Sequence, residues 1–233
     1  MSKKVVVMTK DLISILEVLK ITAEQKGEIP EINGVWLYST RGEYGEEPGQ
    51  VDLLAGMSTD YTVAGHTYVP VEGGDLGDGF FLPLDELKAA EMRMKSVTEE
   101  EHVMEIELDP VDEMVTIREY DKDDGFNHRF PLVEVDFPAD AVKKWVNGTS
   151  APLQDEMNQP LSDGKVMVLD TQAISTIIKV AKKKKVSGIP TVKVHRGAVH
   201  SIALGDDWRG AMLPNELVIT YDADELEAEH YLP

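Results

Sequence analysis

The chain of 233 residues carries 43 acidic and 23 basic side chains, a formal net charge of −20, and is 42% hydrophobic and 28% charged. This composition predicts a folded protein, excludes a disordered chain, and argues against a general coat for nucleic acid, leaving room only for a local basic surface. Because it has no apolar run of membrane length, no signal peptide and no cysteine, we expect a cytoplasmic protein without disulfide bonds.

The first predicted unit is a strand, a helix and three further strands. Residues 4–9 form a short apolar strand, and Thr9 is a candidate N-cap for a helix over 10–26. Gly27 ends this helix. Its buried stripe is predicted to comprise Leu12, Ile15, Leu16, Leu19 and Ala23. The three strands that follow are predicted at 34–40, 51–58 and 62–71.

The same order of elements returns after a glycine-rich connector at 72–79. A strand at 80–83 leads into a helix over 84–96, followed by three strands with period-two alternation. The helix can bury Leu84, Leu87, Ala90 and Met94. The strands are predicted at 102–109, 113–120 and 127–135.

The regular pattern stops after Pro138, and residues 139–164 are rich in turn formers, which predicts a linker. We therefore place a first domain of two units at 1–138 and a second, shortened domain at 165–233. The second domain begins with a buried strand at 165–169. Its three later strands are predicted at 191–197, 198–205 and 207–214.

A helix from Asp170 or Thr171 to Lys185 follows the first strand of this third unit. Its predicted apolar stripe comprises Ile174, Ile177, Ile178 and Ala181. The opposite stripe is polar and then cationic, with Gln172, Ser175, Thr176, Lys179, Lys182 and Lys183.

One strand–helix–three-strand unit thus recurs at intervals of about 75–85 residues. The repeat predicts an α+β fold, with the three helices lying together on one face of the sheet.

Catalytic motifs are missing from the sequence. It has no Walker loop, GxSxG or GxGxxG, and its histidines lack metal-ligand spacing. These histidines are His66, His102, His128, His195, His200 and His230. We therefore predict no enzymatic activity, no metal and no cofactor.

Basic residues recur on the three predicted helices, whereas acidic residues lie mainly in strands, turns and the tail. Helices that gather positive charge in so acidic a protein are typical of a surface that meets an anion. The alternative is that lysines near helix ends are solvated and suit the helix dipole. The candidate contacts are Lys26, Lys88, Arg93, Lys95, Lys179, Lys182 and Lys183.

Several short motifs, in this order, resemble the DNA sliding clamp family, in particular the first domain of the bacterial polymerase III beta subunit. The matching positions are Lys26, Ile29-Pro30-Glu31-Ile32, Leu54-Ala55, Thr59-Asp60 and Phe130 to Pro138. The resemblance covers 4–138 and continues through 165–214, where Trp208 to Pro214 looks like the terminal strand of a clamp.

This resemblance implies a clamp of bacterial or phage type, a homo-oligomeric ring around duplex DNA with helices lining its inner face. DNA contacts would be sequence-independent, and the partners would be a DNA polymerase and a clamp loader. The length of the chain is more similar to that of trimeric, two-domain clamps than to that of dimeric, three-domain ones. The alternative is an acidic clamp-fold protein that forms no ring and binds or inhibits replication proteins.

The resemblance also implies a pocket for partner peptides near the final strand. Its positions would be Leu169, Met212, Leu213 and Pro214. The alternative is that these apolar side chains only fill the core.

Overall fold

The computed structural model describes residues 3–45, 49–96, 102–122, 125–147, 165–166, 171–185, 191–194, 200–204, 207–212 and 221–222. The helices in these residues are α1 (Thr9–Thr22), α2 (Leu84–Met94), α3 (Ala139–Val146) and α4 (Thr171–Lys183), with a 3₁₀ turn at Pro30–Ile32. The strands are β1 (Lys3–Met8), β2 (Gly34–Gly42), β3 (Val51–Thr59), β4 (Val63–Pro70), β5 (Gly73–Asp75), β6 (Phe80–Pro83), β7 (Val103–Asp109), β8 (Met114–Glu119), β9 (Asn127–Pro131), β10 (Lys165–Val166), β11 (Thr191–Val194), β12 (His200–Leu204), β13 (Trp208–Met212) and β14 (Tyr221–Asp222). None of the described helices is long and apolar enough to span a bilayer.

The first two units exchange their first strands between two antiparallel sheets. The five-stranded sheet has the order β5-β1-β7-β8-β9, so β1 of the first unit pairs with β7 of the second. The seven-stranded sheet has the order β11-β12-β13-β4-β3-β2-β6, so β6 of the second unit pairs with β2 of the first. Neither unit can therefore complete its sheet without the other.

The third unit extends the seven-stranded sheet. Strand β13 pairs with β4, with Met212 opposite Val63 and Trp208 opposite Thr67. This seam joins strands that the sequence analysis placed in two domains.

Helices α1, α2 and α4 lie on one face of the seven-stranded sheet, as predicted. Helix α1 contacts β2, β3 and β4, while α2 contacts β2 and β6. Close approach of α1 depends on two glycines, because a Cβ at Gly56 would lie 2.4 Å from Leu19 Cδ1 and one at Gly65 would lie 2.6 Å from Thr22 Oγ1. The predicted α+β fold, with the helices of the three repeated units together on one face, is confirmed.

The predicted apolar stripes of α1 and α2 are confirmed, since all of their members are buried. All of them except Ala23 and Leu84 form a shared core with both sheets, to which β7 contributes Met104, Ile106 and Leu108. Helix α1 ends earlier than predicted, because Ala23 has an extended backbone. Thr9 does not cap it: Met8 occupies the N-cap position, and the Thr9 hydroxyl lies 2.6 Å from His102 Nδ1.

Two elements lie in segments that were predicted to be irregular. Strand β5 lies within the connector at 72–79 and pairs with β1. Helix α3 begins the predicted linker and packs on the face of the seven-stranded sheet opposite α1 and α4. There its Val142 and Val146 contribute to a second core with Met57, Ala64 and Ala211.

Candidate nucleic-acid interface

Three helices form one surface, hereafter the helical surface: the solvent-facing sides of α1, α2 and α4. Helix α1 lies in the middle and contacts both α2 and α4. Beside α1, helix α4 packs on β4, β12 and β13 through an apolar cluster that includes Val63, Ile202 and Trp208. Since side chains alternate across a strand, this cluster holds α4 on the same side of the sheet as α1.

The orientation of α4 differs from the predicted one. Its buried residues are Ala173, Thr176, Ile177 and Val180. The stripe is therefore rotated relative to the prediction, because Val180 and Thr176 pack inward while Ile178 is 48% exposed. Lys179 and Lys182 are exposed, as predicted.

Four of the predicted contact residues are exposed and have no ion pair with any residue that the structure describes. These are Lys26, Arg93, Lys179 and Lys182. Lys26 follows the end of α1, where its backbone N–H donates to Glu24 Oε1 at 2.6 Å. These four cations are available to an anionic partner.

The other three predicted contact residues are held by carboxylates. Lys88 Nζ lies 3.7 Å from Asp85 Oδ1, a loose pair one helical turn apart. Lys95 Nζ lies 2.7 Å from Glu17 Oε1 and 2.5 Å from Glu91 Oε1. Lys183 Nζ lies 2.7 Å from Glu17 Oε2, so Glu17 of α1 joins α2 to α4.

The carboxylates of this network are nearly enclosed, yet they stay ionised. Burial opposes the charge on Glu17, but hydrogen bonds from Lys183 and Lys95 outweigh it and lower the pKa of Glu17 below its ordinary value. The same balance holds for Glu91, where Lys20 and Lys95 lower the pKa. Hydrogen bonds to Glu17 and Glu91 in turn raise the pKa of Lys95. The helical surface therefore contains fixed negative charge between its lysines.

The sequence analysis missed Glu17 and Glu91. One signal was present, since Glu91 and Lys95 have the i, i+4 spacing that favours an ion pair on a helix. No local spacing connects Glu17 with Lys95 or Lys183, which belong to other helices. That pairing depends on the tertiary packing of α1 between α2 and α4.

The outer face of the five-stranded sheet carries its own paired charges. Glu105 lies 3.2 Å from Lys4 Nζ, and Arg118 forms a close pair with it across the strands. Arg118 also lies 3.1 Å from Glu107. These side chains point away from the core, because Met104 and Ile106 of the same strand point into it.

An aromatic group lies on the outer face of the seven-stranded sheet beside α3. The Tyr38 hydroxyl lies 2.9 Å from His66 Nε2, and Lys143 Nζ is 4.5 Å from the centre of the Tyr38 ring. Burial, with Lys143 and Arg209 nearby, lowers the pKa of His66 to about 4. His66 is therefore neutral at physiological pH and serves as a packing residue.

The predicted peptide pocket is described only in part. Met212 is 5% exposed and packs against the buried side of α4 together with Val63 and Trp208. Leu169, Leu213 and Pro214 lie outside the described residues, so the pocket remains a prediction. Among the described residues, no group of three or more His, Asp or Glu side chains is arranged to hold a metal ion.

The arrangement of sheets and helices is that of the DNA sliding clamps. The chain is similar to the sliding clamp of Caulobacter crescentus, with a TM-score of 0.60 and 13% identity over 93% of this chain and 66% of that one. It is also similar to the polymerase III beta subunit of Pseudomonas aeruginosa, with a TM-score of 0.61 and 10% identity over 96% and 67% of the two chains. The clamp of Bartonella birtlesii gives a TM-score of 0.61 at 11% identity over 92% and 66%.

These similarities establish the fold alone, because the sequence identities are low. The chain spans about two thirds of the length of the clamps that it matches. No family model matches the sequence, and no curated protein matches it.

Proposed function

We propose that this protein is a DNA sliding clamp without enzymatic activity: several copies form a ring that encircles duplex DNA and tethers a DNA polymerase to it, with the help of a clamp loader. The observation that carries this proposal lies on the helical surface, where Lys179 and Lys182 of α4 and Arg93 of α2 are exposed and have no ion pair with a described residue, in a protein of net charge −20. The clamp fold supports the same conclusion.

The chemistry of this surface suits contact with phosphates. Lys179 and Lys182 are flexible point charges, without the rigid fork with which arginine reads guanine, so they favour neutralisation of phosphate over recognition of base edges. Their neighbour Ser175 is small and exposed. We therefore expect weak association that depends on salt and not on sequence.

The test replaces Lys179 and Lys182 together by glutamate and measures binding to a short linear duplex by fluorescence anisotropy over a range of salt concentrations. The plot of log binding constant against log salt concentration has a negative slope, and losing two phosphate contacts should make it shallower by about 2. At low salt, binding should weaken by roughly ten- to a hundredfold. The matched control is the pair Lys143→Glu and Lys144→Glu in α3, on the opposite face of the sheet, which should bind as the wild type does. Equal loss in both double variants would contradict the proposal.

A second readout separates encirclement from charge attraction. The protein is incubated with a biotinylated linear duplex, both ends are then blocked with streptavidin, and the salt concentration is raised. A ring should stay on the blocked duplex and leave the open one, because topology holds it when electrostatic attraction is screened. Equal release from open and blocked DNA would show that the protein does not encircle the duplex.

A further inference from the structure

An alternating chain of charges crosses the helical surface from α2 to α4. Glu91 pairs with Lys20 and Lys95, and Lys95 pairs in turn with Glu17 at 2.7 Å. Glu17 closes the chain with Lys183, also at 2.7 Å. Each of the two carboxylates thus contacts two lysines.

The two carboxylates and the lysines around them differ in their exposure. The side chains of Glu17 and Glu91 are 14% and 5% exposed, whereas those of Lys95 and Lys183 are 47% and 43% exposed. A phosphate group can therefore approach these lysines from solvent, but only in competition with carboxylates that are already in place. Lys179 and Lys182, on the same helix as Lys183, have no such competitor among the described residues.

Stability alone does not account for this arrangement. The helices are already held together by buried apolar contacts, and solvent screens the exposed ammonium groups of Lys95 and Lys183 in these pairs. Two carboxylates placed between cations do, however, lower the electrostatic potential that a polyanion would meet.

We propose that Glu17 limits the DNA affinity of the helical surface by holding Lys95 and Lys183 in ion pairs. This inference rests on the proposed function, and it divides the candidate contacts into two classes. Lys179 and Lys182 contact phosphate directly, whereas Lys183 and Lys95 contribute only a small part of their charge. Weak contacts suit a protein that must move along the duplex without stopping on it.

The first test replaces Glu17 by glutamine, which keeps the side chain's size and removes its charge. Lys183 loses its only described partner, while Lys95 keeps Glu91. We expect one additional phosphate contact: the slope of log K against log salt should steepen by about 1, and binding to linear duplex at about 0.1 M salt should tighten roughly three- to tenfold.

The matched control is Glu105→Gln. Glu105 is also a nearly enclosed glutamate that pairs with two cations, Lys4 and Arg118, but it lies on the outer face of the five-stranded sheet. Its replacement changes the net charge by the same amount and should leave DNA binding unchanged. Equal tightening in both variants would assign the effect to net charge and overturn the proposal.

A second pair of variants leaves Glu17 in place and so does not depend on the folding of Glu17→Gln. Lys183→Gln should weaken DNA binding less than Lys182→Gln does, because Lys183 is already held by Glu17. Equal losses would overturn the proposal. In the Glu17→Gln background the cost of Lys183→Gln should rise to that of Lys182→Gln, which measures the coupling between Glu17 and Lys183 directly.

The outcomes separate this inference from the proposed function. If Lys179→Glu with Lys182→Glu abolishes binding but Glu17→Gln binds as the wild type does, the inference is wrong and the function stands. If the double variant Lys179→Glu and Lys182→Glu binds DNA as the wild type does, the proposed function itself is wrong.

Discussion

Glu119, at the end of β8, is a residue whose charge depends on its immediate neighbours. Its carboxylate accepts a hydrogen bond of 3.0 Å from the backbone N–H of Phe126 and lies 3.1 Å from Lys122 Nζ. It also lies 3.2 Å from Nε2 of the buried His102, whose other ring nitrogen contacts Thr9 at the start of α1. The hydrogen bond from Phe126 is the main reason why the pKa of Glu119 falls to about 2, although burial opposes the charge.

This pKa predicts a loss of stability in acid. In the unfolded chain Glu119 takes up a proton near its ordinary pKa of 4.5, whereas in the folded protein it does so near pH 2. Its contribution is therefore complete above pH 4.5 and is lost as the pH falls from there towards 2. Glu119→Gln should lower the free energy of unfolding at pH 7 by about 1–3 kcal/mol and flatten its pH dependence in that window.

Urea unfolding at a series of pH values measures this difference. The control is Glu28→Gln, which removes an exposed carboxylate after the end of α1 and should leave the profile close to that of the wild type. If the Glu119→Gln profile stays parallel to that of the wild type below pH 4.5, the charge of Glu119 does not stabilise the fold.

At the scale of elements, the sequence predicted those helices whose apolar stripes are long enough to be seen locally. Helices α1 and α2 bury the predicted residues, because each stripe repeats over three turns or more. Helix α3 was missed, because its eight residues form only two turns, with Ala139, Val142, Trp145 and Val146 at helical spacing. What stabilises so short a helix is the surface supplied by distant strands, which no local pattern reveals.

The candidate site divides in the same way. Its cations could be predicted, since they recur on amphipathic helices of the repeated unit. The restraint by Glu17 could not, because it arises where three helices from different units meet. The rotation of α4 has a similar origin, since the sheet selects Ala173, Ile177 and Val180 from two overlapping apolar stripes.

Helix α3 should stabilise the seam between β4 and β13. Val142 is fully buried against Ala64 and Ala211, one from each strand. Val142→Ala removes two buried carbon atoms and leaves a cavity, so we expect the free energy of unfolding to fall by roughly 1.5–3 kcal/mol. Amide hydrogen exchange of the Val142→Ala variant should show a larger loss of protection in β4 and β13 than in β7 and β8. Uniform loss across both sheets would contradict a local role for α3.

At the scale of the whole molecule, the two larger sheets end in strands whose outer edges are unpaired among the described residues. Strand β9 is the last strand of the five-stranded sheet, and β11 is the last strand of the seven-stranded one. Such edges are ready to pair with another chain. They offer a route by which copies of this protein could assemble into a closed ring, as the proposed function requires.

The native mass tests this assembly. We expect an oligomer of the 25.8 kDa chain, because the proposed function requires a closed ring of several copies. Analytical ultracentrifugation over a dilution series, with native mass spectrometry, gives the number of copies and the concentration at which they separate. A monomer at all concentrations would contradict the ring and favour the alternative, an acidic clamp-fold protein that binds replication proteins.

The seam between β4 and β13 also has a consequence for biosynthesis. Strand β4 is complete once residue 70 has been made, but its partner β13 ends only at Met212. While the ribosome makes the intervening chain, the free edge of β4 is exposed next to apolar side chains that α4 will later cover. Pairing over so long a stretch of chain is slow, and an open edge is prone to mispairing with other nascent chains. Chaperone dependence and aggregation during expression should therefore arise at this edge, even though it is fully covered in the finished protein.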